Sequence, residues 1–372
     1  MLTRVREVLE YGVYDLKAYP GAAAAVMQDG EVFALGVGRL TDSEESAAVT
    51  PDTVFDLASI TKPVATVSAV SLLMQEGKVG LEDTLASWIP EAKLSPYADV
   101  TVEMLMAHAA GFPAWAPLFE STAPPHLGTG DAFKDYLPMI LGMKPEAPPA
   151  GIEIYSDLDF MLLGRIVELA SKKPFAKFVR SRVLEPLGLE GTDFLPMRGE
   201  GPIVSKGEIE FDDDEIAPTA DCHWRKRRVH GEVDDLNAYA LGGAAGHAGL
   251  FGTAIDLMAY ALEVLDGLEG DGMLFEEEML GLWLSRPFEQ LPGSFTLGWD
   301  SVSAKGTLTG GKFGEQAIGH HGFTGTTFWI DPATGTAMAL LTNRTYFPGG
   351  PEKINRIRPE FFNAAWEDLE KL

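Results

Sequence analysis

The chain has 372 residues, of which 46% are hydrophobic and 23% are charged, and its formal net charge is −26 at pH 7. This composition is that of a globular protein with one large domain or two entwined ones. The negative charge argues against a nucleic-acid-binding surface and against adhesion to anionic membranes, and the single cysteine, Cys222, excludes a framework of intrachain disulfides.

The N-terminal segment carries charges throughout and has no apolar stretch of the kind found in a signal peptide. No apolar run elsewhere is long enough to span a bilayer. We therefore expect a cytoplasmic protein without membrane insertion. An exported protein whose leader had been removed would have the same sequence.

Both ends of the chain predict a β-hairpin next to a helix. After a first segment with helical spacing of apolar residues, AAAAVMQDGEVFALGVGRL predicts two strands joined by a tight turn at Asp29-Gly30. Near the other end, GTTFWIDPATGTAMALLTN has the same design, and the segment from Pro351 to Leu372 predicts a closing helix. These elements indicate one antiparallel sheet built from both ends of the chain.

The stretch LASITKPV, residues 57–64, places Ser59 three residues before Lys62. Pro63 suits the first turn of a helix, and the following apolar residues recur at helical spacing, so we expect Ser59 at the start of a buried helix. Residues three apart share a helix face, which brings the Lys62 amine within reach of the Ser59 hydroxyl. The tetrapeptide by itself favours a simpler interpretation, a helix-capping Ser59 and a solvated Lys62, so a catalytic role requires partners elsewhere in the chain.

The middle of the chain predicts helices at 63–76, 101–109, 157–170, 174–184 and 254–266. Residues 207–235, with an acidic and a basic run, are expected to wrap the surface as an extended loop. We predict an α/β (α+β) fold: an antiparallel sheet domain from residues 1–60 and 240–372, and a mostly helical domain from residues 61–239. The active site is expected at the junction of the two.

Two further stretches offer polar groups to the same site. GIEIYSDLDFMLLGRIVELA places Tyr155 and Asp157 directly before an amphipathic helix. The Tyr155 phenol is suited to proton exchange with a nucleophile, whereas Asp157 is expected either to cap the helix or to contact a substrate. AIGHHGFTGTTFWIDP places His320, His321 and Gly322 where an edge strand begins, and a glycine there lets a substrate approach the backbone.

Together these stretches resemble the serine hydrolases of the class C β-lactamase, penicillin-binding protein and esterase family. That family uses S-x-x-K, then Y-x-N, then K-T-G or a variant that begins with histidine. Here the matching residues occur in the same order, as Ser59-Ile60-Thr61-Lys62, Tyr155-Ser156-Asp157 and His320-His321-Gly322. The similarity runs from about residue 20 to about residue 345.

The resemblance implies a β-lactamase/transpeptidase-like fold and a role for each matching residue. Ser59 would attack a carbonyl carbon to form an acyl-enzyme, and Lys62 would accept its proton, alone or through Tyr155. The backbone N–H groups of Ser59 and Phe323 would form the oxyanion hole. Four residues would contact the substrate: Asp157, His320, His321 and Gly322. The resemblance implies neither a metal nor an organic cofactor.

Three departures from the family pattern bear on the substrate. Asp157 replaces an asparagine, so it offers a carboxylate where an amide would donate a hydrogen bond, and it is expected to hold Lys62 charged. His320 replaces a lysine; if it holds carboxylates only as an imidazolium, the KM for anionic substrates should rise as the pH passes about 6.5. Asp234 stands where similar sequences often have histidine.

We therefore expect a serine hydrolase that acts on the ester or amide carbonyl of a small molecule or short peptide, with esterase-like or D-amino-acid-peptidase-like specificity. A true β-lactamase or D-alanyl-D-alanine carboxypeptidase is the alternative among enzymes. A catalytically silent peptide-binding module on the same scaffold is the alternative outside them.

Several other conspicuous side chains are expected to be structural. We expect internal hydrogen bonds for His108 and His247. For Phe112, Trp115 and Phe251 we expect core packing in preference to the lining of an apolar acyl pocket. The seven histidines invite a metal site, but H-E-x-x-H and paired C-x-x-C spacings are absent from the sequence, so no metal ligands are predicted.

Overall fold

The central sheet is built from strands at both ends of the chain, as predicted. The computed structural model describes residues 2–195, 212–302 and 308–371. In chain order its strands are β1 (Gly21–Gln28), β2 (Glu31–Gly38), β3 (Phe55–Asp56), β4 (Asp193–Phe194), β5 (Asp221–Cys222), β6 (Arg227–Arg228), β7 (Leu250–Gly252), β8 (Asp300–Ser301), β9 (Ile318–His321), β10 (Thr327–Asp331) and β11 (Thr336–Thr342). Six of them form an antiparallel sheet in the order β2-β1-β11-β10-β9-β8.

Helices pack around this sheet, and most of them come from the middle part of the sequence. They are α1 (Thr3–Glu10), α2 (Ser68–Gln75), α3 (Leu85–Trp88), α4 (Val102–Met106), α5 (Ala132–Gly142), α6 (Asp157–Ser171), α7 (Phe175–Val179), α8 (Leu236–Ala240), α9 (Ala254–Leu268), α10 (Glu277–Leu284) and α11 (Glu352–Leu369). Short π-helical segments at Tyr11–Asp15, Lys62–Val67 and Arg180–Leu184 extend or precede three of them. The predicted fold class is confirmed.

The first hairpin shows why the sequence folds as it does. Asp29 and Gly30 both have positive φ angles, +50° and +81°, which is the backbone of the tight turn that suits the twist of two antiparallel strands. Residues 22–27 of β1 are all buried, because α1 and α11 pack on one face of the sheet and α9 packs on the other. A strand covered on both faces has a continuous apolar run instead of an alternating pattern.

The structure differs from the sequence prediction around Ser59. The predicted helix at 63–76 is the π-helical segment Lys62–Val67 followed by α2, and Ser59 lies before it in a separate 3₁₀ turn, Ala58–Ile60. The sequence analysis also missed α5, α10 and the small sheet β3-β7-β4. Strands of two or three residues carry no periodicity that a sequence can reveal.

The loop predicted at 207–235 is less exposed than expected. Residues 207–211 lie outside the described residues, but the rest contains the β5–β6 hairpin and buried side chains such as Ile216 and Val229. The basic run is used internally: Arg227 pairs with the buried Glu232 at 2.7 Å, and Arg228 donates to two backbone carbonyls. The loop is thereby fixed against the body of the protein.

The division into a sheet domain (1–60 and 240–372) and a helical domain (61–239) stays a prediction. Within the parts of the chain that the structure describes, no helix combines the length and the apolar character needed to cross a membrane.

The two ends of the chain are joined by Asp368 of α11. Its buried Oδ2 accepts the backbone N–H groups of Arg4 and Val5, at 2.7 and 3.0 Å, in the first turn of α1. These N–H groups have no partner within their own helix.

We expect Asp368→Ala to lower the free energy of unfolding by about 1–2 kcal/mol, measured by denaturant titration. Asp368→Asn, which keeps one acceptor oxygen, should lose less; a D368A variant as stable as wild type would contradict this.

Candidate active site

Ser59 lies on a sharp turn directly after β3. Ala58, which precedes it, has a φ of +49°, a left-handed conformation that is unusual for a residue other than glycine. The Ala58 N–H donates to Asp56 Oδ1 at 2.8 Å, which stabilises the turn. Strained backbone of this kind is found at functional sites more often than elsewhere. The turn brings Ser59 into the wall of an open cleft with a volume of about 830 Å³.

Lys62 is the centre of a group of polar contacts. Its Nζ atom lies 2.9 Å from Ser59 Oγ, 2.7 Å from Tyr155 OH and 2.7 Å from Asp157 Oδ1. A fourth contact, at 3.3 Å, is to the backbone carbonyl of His247. The Lys62 side chain is fully buried, which excludes the alternative of a solvated lysine. Residues separated by 95 positions in the sequence are thus in direct hydrogen-bond contact.

The charges around Lys62 determine its protonation. Burial by itself would lower the pKa of Lys62, but the Asp157 carboxylate and then Tyr155 outweigh it, so the pKa lies above the ordinary value of 10.5. Burial raises the pKa of Tyr155 above 10, although the Lys62 ammonium opposes this. At neutral pH the resting site therefore holds a charged Lys62 and a neutral Tyr155 phenol.

Helix α6 begins at Asp157, but Asp157 is not its cap. The capping residue is Ser156, whose Oγ accepts the backbone N–H of Leu158 at 3.2 Å. The same hydroxyl donates to the carbonyl of Pro113 at 2.7 Å. The Asp157 carboxylate is consequently left for Lys62. Of the two roles expected for Asp157, helix capping is therefore wrong.

The turn after β9 is fastened to the turn that carries Ser59. Thr324 and Thr326 donate their hydroxyl hydrogens to the carbonyls of Asp56 and Leu57, at 2.7 and 3.0 Å. Gly322 makes this approach possible, because a Cβ at that position would lie 2.7 Å from the Leu57 carbonyl oxygen. The predicted substrate-binding strand and the predicted nucleophile are thus held side by side.

Two arginines hold the carbonyl groups of this turn. Arg358 of α11 donates to Gly322 O at 2.8 Å, and Arg344 donates to Phe323 O at 2.7 Å. Among the described residues, neither the Ser59 nor the Phe323 backbone N–H donates a hydrogen bond to another protein group. Two free N–H groups beside a serine hydroxyl have the chemistry of an oxyanion hole. Phe323 itself is 66% exposed at the rim of the cleft.

His320 and His321 also line the cleft. His320 is buried, and its Nδ1–H donates to the carbonyl of His321 at 2.9 Å. Burial, helped by the Lys62 charge, lowers the pKa of His320 to about 3. A neutral imidazole over the working pH range does not support the expected rise in KM near pH 6.5. His321 Nδ1 lies 2.7 Å from the Thr327 hydroxyl, and burial lowers the pKa of His321 as well.

The cleft also contains a set of acidic side chains, of which only Asp234 was singled out from the sequence. They are Asp56, Asp234, Asp235 and Asp300. Burial raises the pKa of Asp56 to about 7 and that of Asp300 to about 6, against the hydrogen bonds that each carboxylate accepts. Asp residues scattered over 245 positions of a very acidic chain give no local pattern, and only the tertiary fold groups them.

The structural side chains behave mainly as expected. His108 and His247 are hydrogen-bonded to acidic side chains, Asp159 at 3.0 Å and Asp235 at 2.9 Å. Phe112 and Phe251 are in the core. Trp115 is the exception, because it is 49% exposed and lines the cleft, so the prediction of core packing is wrong for it.

Asp157, Asp235 and His247 have oxygen and nitrogen atoms within 4.8 Å of one another, a spacing compatible with a bound cation. The Lys62 ammonium lies 2.7 Å from Asp157 in this group. A positive charge is therefore already present at that point, and it opposes the entry of a metal ion.

Comparison with known proteins gives a consistent result. A model of the Beta-lactamase family matches residues 13–359. A protein of Escherichia coli strain K12, provisionally named D-alanyl-D-alanine carboxypeptidase, is 32% identical over 376 aligned residues, which cover 93% of this chain and 83% of its own length. The class C beta lactamase from Rhodobacter sphaeroides has a similar fold, with a TM-score of 0.71 at 18% identity over 99% of both chains.

A second solved structure with this fold is EstCE1, a hydrolase with promiscuous acyltransferase activity. Its TM-score is 0.68 at 21% identity, and the match covers 96% of this chain and 97% of that one. The β-lactamase/transpeptidase-like fold predicted from the three motifs is confirmed.

The contact between Lys62 and Asp157 predicts a change in pH dependence. Asp157→Asn removes the carboxylate that raises the pKa of Lys62, so the free amine should form at lower pH. We measure the rate at which a fluorophosphonate labels Ser59 as a function of pH, and we expect the rising limb of this profile to move to lower pH in D157N. Asp157→Glu retains the charge and is the matched control. A limb that stayed in place or moved up in D157N would contradict the prediction.

Proposed function

The chain belongs to the β-lactamase family and is a serine hydrolase, and from this premise we propose that Ser59 is the nucleophile that carries the acyl group. The observation that supports this assignment is the contact of one buried amine, Lys62 Nζ, with both Ser59 Oγ and Tyr155 OH. A serine hydroxyl is a weak nucleophile unless a neighbouring base takes its proton. The cleft volume of about 830 Å³ suits a small molecule or a short peptide.

In the proposed acylation step, Ser59 Oγ forms a bond to the carbonyl carbon while its proton passes to Lys62. The oxyanion that develops accepts hydrogen bonds from the backbone N–H groups of Ser59 and Phe323. Collapse of this intermediate breaks the ester or amide bond, and the leaving group takes a proton from Lys62 through Tyr155. A water molecule then attacks the acyl-enzyme, with Tyr155 or Lys62 as its base.

The protonation of Lys62 limits this step. An ammonium group cannot accept a proton, so Lys62 must lose its own before Ser59 is activated. Since Asp157 raises the pKa of Lys62, the proposed mechanism has a rate that rises toward alkaline pH.

The polar groups of the cleft support an ester or a D-amino-acid peptide as substrate, in preference to a β-lactam antibiotic. Ionised Asp157 cannot donate a hydrogen bond to the carbonyl of an acylamido side chain. His320 is neutral, so it does not supply the positive charge that a family lysine offers to a carboxylate. Several acidic side chains also line the cleft, and those that are ionised disfavour an anionic substrate.

A second candidate is a D-alanyl-D-alanine carboxypeptidase, the name given to the Escherichia coli relative. The observation that favours it is the presence of Arg344 and Arg358 in the cleft wall. Either guanidinium is able to attract the terminal carboxylate of a peptide, although both also donate to backbone carbonyls. The two candidates share the Ser59 chemistry and differ in the charge next to the bond that is cleaved.

Hydrolysis of a short-chain nitrophenyl ester and of a chromogenic cephalosporin, measured side by side at pH 7 and at pH 9, tests the proposal. We expect turnover of the ester by wild type, faster at pH 9, and its loss by a factor of about 10³ or more in Ser59→Ala. The cephalosporin should be turned over much more slowly. Equal ester turnover by wild type and S59A, after subtraction of spontaneous hydrolysis, would rule out Ser59 as nucleophile.

An acylated D-alanyl-D-alanine and its C-terminal amide separate the two candidates. Preference for the free carboxylate, lost in Arg358→Gln, would support the carboxypeptidase. Preference for the amide would support the first candidate.

A further inference from the structure

Tyr155 stands on a segment without regular secondary structure, residues 152–156, between a loop and helix α6. Its hydroxyl nevertheless lies 2.7 Å from Lys62 Nζ. Helices and strands fix a side chain through their own backbone hydrogen bonds, and this segment has none of those. The position of the Tyr155 phenol must therefore come from tertiary contacts.

The Tyr155 ring contacts Phe295 and His320, with centroids 5.8 and 5.7 Å away. The backbone on both sides of Tyr155 is held by one buried residue, His108, which follows α4. Its backbone carbonyl accepts the N–H of Ile154 at 2.8 Å, and its Nδ1 accepts the N–H of Ser156 at 3.1 Å. His108 thus binds the residue on each side of Tyr155. Its imidazole ring also packs on the Tyr155 ring, with centroids 4.8 Å apart.

The conformation of His108 is unusual in a way that serves these contacts. Its φ is +55°, in the left-handed region, where asparagine, aspartate and histidine are the most common residues after glycine. The residue is 1% exposed and does not line the cleft. It therefore has no route to the substrate, and any effect that it has on the reaction passes through its neighbours.

Asp159, in the first turns of α6, completes the arrangement. Its Oδ2 lies 3.0 Å from the same His108 Nδ1 that accepts the Ser156 N–H. Because a backbone N–H only donates, this nitrogen carries its lone pair, and the contact with Asp159 is favourable when the carboxyl group holds the proton. Burial raises the pKa of Asp159 well above its ordinary value and lowers that of His108, which agrees with a neutral pair.

We propose that His108, held by Asp159, is a positioning residue for the Tyr155 hydroxyl: it clamps the backbone on both sides of Tyr155 and supports its ring. This inference rests on the proposed function, in which Tyr155 transfers protons. His108 needs no contact with the substrate for this role. Its effect should appear in the rate of the chemical step and should depend on the presence of the Tyr155 hydroxyl.

The experiment is a double-mutant cycle with His108→Leu and Tyr155→Phe, measured by single-turnover acylation with a nitrophenyl ester. Leucine has no acceptor for the Ser156 N–H, and a misplaced catalytic group costs about 10- to 100-fold in rate. We expect H108L to lower the acylation rate by that factor with KM nearly unchanged. In the Y155F background the same substitution should change the rate by less than about twofold, because the hydroxyl that it positions is absent.

Conservative variants distinguish positioning from general support of the fold. His108→Asn keeps an acceptor at the δ position and tolerates the left-handed backbone, so it should restore most of the rate lost in H108L. Asp159→Asn keeps a donor for His108 Nδ1 and should stay close to wild type, whereas Asp159→Leu should resemble H108L. The two Asp159 variants test the clamp independently if H108L does not fold.

Each outcome has a separate meaning. An equal loss caused by H108L with and without the Tyr155 hydroxyl would overturn the proposal, and so would an H108N variant as slow as H108L. A Y155F variant that acylates as fast as wild type would instead refute the role of Tyr155 in the proposed function. Thermal midpoints of all variants show which of them are folded.

Discussion

The structure of the site depends on one buried charge, the ammonium group of Lys62. A charged amine that is removed from water must be paired and hydrogen-bonded, or the fold loses several kcal/mol. Here the four partners of Lys62 come from three separate parts of the chain: the Ser59 turn, the stretch that leads into α6, and the loop before β7. The need to satisfy this charge is therefore also what assembles the nucleophile and the phenol. The hydrogen bonds that stabilise the buried charge are the same ones that bring the catalytic groups together. The sequence that specifies the fold here therefore also specifies the site.

A second constraint acts on the other side of Ser59. The turn after β9 is bound to the nucleophile turn by two threonine hydroxyls, and its carbonyls are held by Arg344 and Arg358. In the part of the chain that the structure describes, the backbone N–H groups of Phe323 and Ser59 donate to no other protein group. Because Arg358 lies on α11 and β9 belongs to the central sheet, the C-terminal part of the chain completes a site that begins at residue 56.

The parts of the fold and of the site that the sequence predicts are those that depend on residues close together in the chain. The Asp29-Gly30 hairpin, α6, α9 and α11 follow from local patterns, and the helical spacing of Ser59 and Lys62 predicts their contact. The resemblance to a family then extended the prediction to Tyr155 and His320.

The 3₁₀ turn at Ser59 was not predicted, because it depends on Asp56 and on a left-handed Ala58. The acidic residues of the cleft, the exposed Trp115 and the His108–Asp159 pair were out of reach for the same reason: each is defined by neighbours that are distant in the sequence, and none belongs to a periodic pattern. A single alanine and a pair of buried polar residues look ordinary until the tertiary structure shows what they contact.

The central claim is that Ser59, activated by Lys62, carries the acyl group during turnover. The most direct measurement is mass spectrometry of the protein quenched during turnover of a slowly deacylating ester, followed by peptide mapping. The account predicts a mass increase equal to the acyl group on the peptide that contains Ser59. It predicts no such increase when Lys62 is replaced by methionine, an unbranched side chain that lacks the amine. An acyl group on another residue, or full acylation of Ser59 in K62M, would contradict it.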